Sequence, residues 1–139
     1  MLRRRRVSRH LFRTSPFLDH IEPFFFRELE GGAFPTRLRA LPIHSNAKRT
    51  VHGGVLITLC DIALGYRTNR SQTWATLLRT ASVATDFAGT AKVGDWLKAY
   101  VDVHKLGCKL AVANCYIVRG EERIAHASAV FSRINPSGP

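Results

Sequence analysis

The chain is poor in acids, in paired sulfur and in long apolar runs. Its 139 residues hold 10 Asp+Glu against 21 Lys+Arg, a formal net charge of +11 at pH 7. No run of ~18 apolar residues occurs, so no membrane-spanning helix and no membrane partner are predicted. The three cysteines, Cys60, Cys108 and Cys115, are odd in number and form no C-x-x-C pair. Neither a disulfide framework nor a zinc site is therefore expected, and reduced thiols fit best. Internal repeats are missing too. What is present is a 45% hydrophobic composition, in a length that suits one domain with a packed core rather than a disordered chain.

The acids are not missing evenly. Residues 1–18 carry six arginines (Arg3, Arg4, Arg5, Arg6, Arg9, Arg13) and no acid, which leaves 15 basic against 10 acidic residues from Asp19 onward. The stretch 1–15 lacks the apolar segment of a secretory signal. It is Arg-rich and acid-free like a mitochondrial transit peptide, but a solvated disordered arm or a start codon placed too far upstream reads as well. The expected organisation is a basic extension over 1–15 and a single domain over 16–135. A cytoplasmic location is expected, or the mitochondrial matrix should the extension be a transit peptide. A domain charge of +5 is modest, and no RNA- or DNA-binding signature accompanies it, so no specific nucleic-acid partner is expected.

Residues 16–27 (PFLDHIEPFFFR) read as a short amphipathic helix broken at Pro23. Residues 36–42 read as a first strand, and a polar connection follows over 44–50. Gly53-Gly54 then opens 55–66 (VLITLCDIALGY), apolar on nearly every helical face and so predicted to be a buried helix ending near Gly65. Residues 74–87 read as a strand. Residues 96–104 alternate cleanly, with Leu97, Ala99, Val101 and Val103 on one face. Turns at Leu106-Gly107 and Gly120-Glu121 lead into strands over 109–118 and 123–134, an antiparallel meander. One long helix against a curved antiparallel sheet of about five or six strands is an α+β fold, and the edges such a sheet leaves open invite dimerisation.

Three features converge at the start of the long helix. Gly53 and Gly54 occupy its N-terminus, where amides lack intrahelical partners and the dipole favours negative charge, so a phosphate, a carboxylate or a developing oxyanion could be held there. A tight turn is the plainer explanation of the same two glycines. Asp61 sits in the middle of an apolar helix, where a carboxylate is costly unless it caps a neighbouring loop or acts as a base or nucleophile. Asn46 and His52 flank the connecting loop with polar side chains. From Gly54 to Asp61 is seven residues, ~10 Å along a helix axis. One chain can hardly aim both at one carbonyl, so a second subunit is predicted to complete the site, with Asp61 facing Gly53 across a two-fold axis.

These residues, Asn46, His52-Gly53-Gly54, Leu59 and Asp61, resemble the hotdog-fold acyl-CoA thioesterases of the phenylacetate-degradation type, in the 4-hydroxybenzoyl-CoA thioesterase superfamily. Thr80-Ala81-Ser82-Val83, Asp86-Phe87 and Lys92-Val93-Gly94-Asp95-Trp96-Leu97 extend the resemblance over residues 36–134. It implies a hotdog fold, a double-hotdog dimer and commonly a tetramer, with hydrolysis of an acyl-CoA to free acid and CoA. Asp61 would activate water or attack the thioester, and Gly53 would polarise its carbonyl. Asn46 would position the carbonyl or the water, His52 would hold the loop, and Thr80 would orient the water from the partner subunit's side. No metal and no cofactor are implied beyond the CoA of the substrate. Gly54, Leu64, Trp74 and Phe87 are candidate substrate contacts, suiting a medium-chain or aryl acyl group. Lys48, Arg49, Arg67, Arg70 and Arg79 are unranked candidates for the CoA phosphates.

Two other readings remain open. A hotdog hydratase or dehydratase would use an Asp and a His five residues apart on the helix, whereas five residues after Asp61 stands Tyr66. A non-catalytic acyl-CoA binder would gain nothing from a costly carboxylate at 61.

Overall fold

The computed structural model describes residues 15–21, 23–26, 35–70 and 77–134. The basic stretch before Ser15 and the candidate contact Trp74 lie outside the described residues. The first helix, α1 (Pro16–Ile21), starts where Ser15 caps it: its Oγ accepts from the Leu18 N–H at 3.2 Å, and Pro16 takes the first helical position, where a missing N–H costs nothing. The helix stops before Pro23, as expected. Phe24–Phe26 is not its continuation but a short strand, β1, antiparallel to β2 (Thr36–Arg39). Three identical aromatics carry no alternation by which a strand could be read.

A 3₁₀ turn at Pro42–His44 occupies the end of the stretch read as the first strand. The His44 ring here is fully buried and was not singled out from the sequence. Its Nδ1 accepts from the Leu41 N–H at 2.9 Å, which leaves Nε2 to donate to the Ile21 carbonyl at 2.7 Å. His44 thus ties α1 to the loop before the long helix, and its own carbonyl accepts from the His52 N–H at 2.8 Å. Replacing His44 by Leu fills the space but orphans a donor and an acceptor. The expected cost is about 2 kcal/mol, read as a lower denaturant midpoint with unchanged slope.

The long helix, α2, runs Gly53–Arg70 and passes straight through Gly65. It is not apolar-buried on every side. Leu56, Leu59, Cys60, Ala63, Leu64 and Thr68 are buried, the i, i+3, i+4, i+7 stripe of a helix with one face against a sheet, while Ile57 stays 39% exposed. The remaining strands are β3 (Leu77–Phe87), β4 (Trp96–Leu106), β5 (Leu110–Arg119) and β6 (Glu122–Ile134). The sheet order is β1-β2-β4-β5-β6-β3, and every pairing is antiparallel. Only β4-β5-β6 is a meander. β3 crosses over to pair with β6, so β1 and β3 are the two sheet edges, and β3 is the long one. Leu97, Ala99, Ala113, Cys115, Ile117, Ala127, Ala129 and Phe131 form the sheet side of the core, against which the α2 stripe packs. The small Ala residues on β5 and β6 let the helix approach closely. A six-stranded antiparallel sheet curled round one long helix is the hotdog arrangement.

Candidate active site

Four elements meet where α2 begins. Residues 45–51 form a closed loop ahead of it, pinned by bridges between Ser45 and Val51 and between Thr50 and Lys92. Asn46 is the hub of this loop. Its Oδ1 accepts from the backbone N–H groups of Lys48 (2.9 Å) and Thr50 (3.2 Å) and from the Thr50 hydroxyl, while its Nδ2 donates to Thr50 Oγ1 at 3.0 Å. The Asn46 oxygen is thus committed to closing the loop. One Nδ2 hydrogen has no partner among the described residues, and an Asn46 contact to substrate would have to come through it.

His52 precedes the helix and caps it. Its Nδ1 accepts from the Gly54 N–H at 2.9 Å, which fixes the neutral ring as the Nε2–H tautomer. Its carbonyl accepts from Val55 (2.9 Å) and Leu56 (3.3 Å). Three of the four opening amides of α2 are thereby satisfied within the chain. The Gly53 N–H alone has no partner among the described residues, so Gly53, and not Gly54, is the free donor at the positive end of the helix dipole. Gly54 was a candidate substrate contact. Its amide is instead taken by His52, and a Cβ there would meet that same Nδ1 at 3.1 Å. Its small size serves the cap.

Phe87, the last residue of β3 and half exposed, lies over Gly53: a Cβ on Gly53 would come within 3.2 Å of the ring tip. The ring lies beside the residue that carries the free amide. Leu64 is a different matter. It is fully buried in the α2–sheet core and lines no accessible surface of the chain, because its place on the stripe with Leu56 and Leu59 turns it toward the sheet.

Asp61 lies on the less covered side of α2, one turn beyond Ile57, and is half-buried rather than sealed in the core. Its Oδ1 accepts from Thr80 Oγ1 at 3.0 Å. Thr80 is thus bonded to the Asp61 of its own chain. A β-bulge makes this possible. Val83, Thr85 and Phe87 pair with Ala129, Ala127 and Ala125, residues whose side chains face the core. By strict alternation Ala81 would be the next on that face. The register shift between Thr80 and Ser82 sets Thr80 opposite the buried Phe131 instead, so that it turns inward to Asp61. Replacing Thr80 by Val should lower kcat about 10-fold with little change in KM, since a hydrogen bond to a charged group is lost. Thr80→Ser should restore the rate, an outcome that a purely packing role would not produce.

The remaining thiols stand apart. Cys60, beside Asp61 in sequence, is turned into the core against Cys115, whose thiol is held well above the ordinary range, first by its hydrogen bond with Cys60 and then by burial. Both are core residues. Among the described residues no three His, Cys, Asp or Glu side chains converge as metal ligands would, and no helix is long and apolar enough to cross a membrane.

A family model described as the thioesterase superfamily matches residues 49–126, the span that contains His52, Gly53, Asp61, Thr80 and Phe87. A Pseudomonas aeruginosa protein named provisionally as an esterase is 41% identical over 121 residues, which cover 87% of this chain and 90% of the relative. Among solved structures, a Bacillus halodurans protein crystallised with CoA is 26% identical at a TM-score of 0.74, covering 83% of this chain and 74% of its own. The E. coli PaaI protein of the phenylacetic acid degradation operon (23% identity, TM-score 0.69, coverage 74% and 73%) shares the fold. So does a Streptococcus mutans protein bound to acetyl CoA (20%, TM-score 0.78, coverage 91% and 97%).

Proposed function

The chain belongs to the thioesterase superfamily and is a thioester hydrolase, and from that premise we propose that it hydrolyses acyl-CoA thioesters at a site completed by two copies of the chain. The observation that carries this reading is the pair of unspent groups on α2: a free Gly53 N–H at its start and the Asp61 carboxylate, oriented by Thr80, two turns on. A water attacks the thioester carbonyl as Asp61 takes its proton. The oxygen of the tetrahedral intermediate gains its charge facing the Gly53 amide and the helix N-terminus. Collapse expels the CoA sulfur, which receives the proton from Asp61. A thioester is activated enough for a base and one oxyanion donor to suffice. Direct attack by the carboxylate through an acyl–enzyme anhydride is the second route open to the same residue.

Gly53 and Asp61 are eight residues apart, ~12 Å along the helix, too far to meet at one carbonyl. The 11-residue edge strand β3 offers the means of closure. Pairing with its own copy would continue the sheet, cover Phe87 and Ile57, and bring one chain's Asp61 toward the other's Gly53. We extend the reading to a homotetramer of such dimers. The Bacillus halodurans and Streptococcus mutans proteins solved with CoA or acetyl CoA support CoA as the leaving group, and Phe87 over the free amide supports an apolar or aryl acyl chain. A free-thiol assay across short, medium, long and aryl acyl-CoAs tests the proposal. Turnover of at least one class is expected, and no thiol release above background from any of them would refute it.

A further inference from the structure

The direction of the free amide at the start of α2 depends on a histidine ring. Gly53 and Gly54 are consecutive, and two residues without Cβ atoms hold no conformation of their own. What restrains them lies on either side. The Phe87 ring tip stands where a Cβ on Gly53 would come within 3.2 Å of it. The His52 ring closes over Gly54, its Nδ1 accepting from the Gly54 N–H at 2.9 Å. His52 is itself anchored, because its N–H donates to the His44 carbonyl at 2.8 Å. Gly53 lies inside the small ring of atoms that the bond from residue 52 to residue 54 closes, so this bond fixes where the Gly53 N–H points.

Helix caps are ordinarily made by Ser, Thr, Asp or Asn, through an oxygen that accepts at any neutral pH. At His52 the acceptor is a ring nitrogen, which can accept only while the ring is neutral. Histidine is also the side chain whose ordinary titration falls between pH 5 and 8. A second proton turns Nδ1 into a donor that faces another donor, at the positive end of the helix dipole. The bond is therefore lost as pH falls, not as it rises. His52 is exposed and exchanges protons with bulk water. The other nearby histidine that accepts through Nδ1, His44, is fully buried and bonded at both ring nitrogens.

The charges around His52 do not hold a proton on it. Lys48 and Arg49 on the preceding loop, and Lys92 bridged to that loop through Thr50, are cations. Of the carboxylates on the neighbouring elements, Asp86 near the end of β3 faces His126 at 3.6 Å, and Asp61 on α2 accepts from Thr80 at 3.0 Å. Among the described residues no carboxylate pairs with the His52 ring. Resting on the proposed acyl-CoA reading, we infer that His52 is a positioning residue that makes the oxyanion donor proton-sensitive. Neutral His52 holds the Gly53 N–H toward the developing oxyanion, and a proton taken up at His52, rather than at the general base Asp61, releases it and slows hydrolysis.

The test follows kcat against pH, with the acyl-CoA of the screened panel that turns over fastest, in the full chain and in its His52→Asn and His52→Ala variants. Asn supplies a capping oxygen that does not titrate, and Ala supplies none. In the unmodified chain kcat at pH 5.5 should lie about 10-fold below its value at pH 8, and in His52→Asn that ratio should shrink to about two-fold. His52→Ala should be slower by about 10-fold at pH 8 with KM little changed, and Asn should recover most of that loss. An acid limb of undiminished size in His52→Asn would assign it to His44 or Asp61 and overturn the inference. A second readout needs no turnover. In the ¹⁵N-labelled full chain the Gly54 amide resonance should shift with the His52 ring through one common midpoint, and that shift should vanish in His52→Asn. A Gly54 amide indifferent to the titration of the ring would overturn the inference equally. The resonances keep the two claims apart: a chain whose Gly54 amide follows His52 but which hydrolyses no acyl-CoA contradicts the proposed function and leaves the proton-sensitive cap standing.

Discussion

Replacing Asp61 by Asn should lower kcat for acyl-CoA hydrolysis by about 10²–10⁴-fold, the range a positioned general base supplies. The oligomer and its affinity for CoA should stay as they were. The reasoning is local. Asp61 sits on the less covered side of α2, half-buried, with Thr80 holding one oxygen at 3.0 Å. Asn keeps the volume and can still accept from Thr80 through its carbonyl oxygen, so folding loses little. What it cannot do is take a proton from water. Asp61→Glu is informative beside it: the carboxylate is retained but carried one methylene away from Thr80, and an intermediate loss is expected. Single-turnover kinetics with the Asn variant would also separate the two chemical routes. If Asp61 attacks the thioester itself, the Asn variant forms no acyl–enzyme, whereas the unmodified chain accumulates one that hydroxylamine can trap.

Gly53→Pro should cost about 10²–10³ in kcat, the typical loss on removing one oxyanion donor. Proline suits this position physically. It is favoured at the first turn of a helix, and the N–H it deletes has no partner among the described residues. The residue before it, His52, must be extended, as a capping residue is. Steric effects need their own control, because any Cβ at 53 meets the Phe87 ring at 3.2 Å. Gly53→Ala supplies it, with the same added carbon and the N–H retained. The donor's contribution is the difference between the two variants. A Pro variant no slower than the Ala variant would remove Gly53 from the chemistry and leave it as a glycine required only for the close approach of Phe87.

Much of the fold could be read in advance because its signals are local. The alternation of Leu97, Ala99, Val101 and Val103 gave β4 its face, and Gly107 and Gly120 marked the hairpins that make β4-β5-β6. The crossing of β3 to β6 could not be read, since local alternation carries no information on which neighbour a strand will take. The run Phe24–Phe26 has no period at all, and only pairing with Thr36–Leu38 makes it a strand. The residue types of the site were legible, but their geometry was not. Gly53 and Gly54 are equivalent in sequence, and it is the His52 ring that spends one amide and leaves the other. Thr80 belongs to its own chain's Asp61 because a bulge, invisible to a pattern with period two, turns it inward. Leu64 looks like a pocket residue only until the helix stripe assigns it to the core. His44, bonded through both ring nitrogens, could have been suspected only as a histidine beside Pro42 in an otherwise apolar stretch.

Subunit mixing tests most directly whether hydrolysis takes place at a site made by two chains. Chains carrying Gly53→Pro and chains carrying Asp61→Asn, each inactive alone, are co-expressed under separate tags, and the mixed oligomer is isolated and assayed for CoA release. In each mixed dimer one site has lost both groups and the other pairs an intact Gly53 with an intact Asp61. Random pairing should therefore restore about a quarter of the unmodified rate before purification, and about half in purified mixed dimers. Mixed oligomers as inactive as their parents would contradict the shared site.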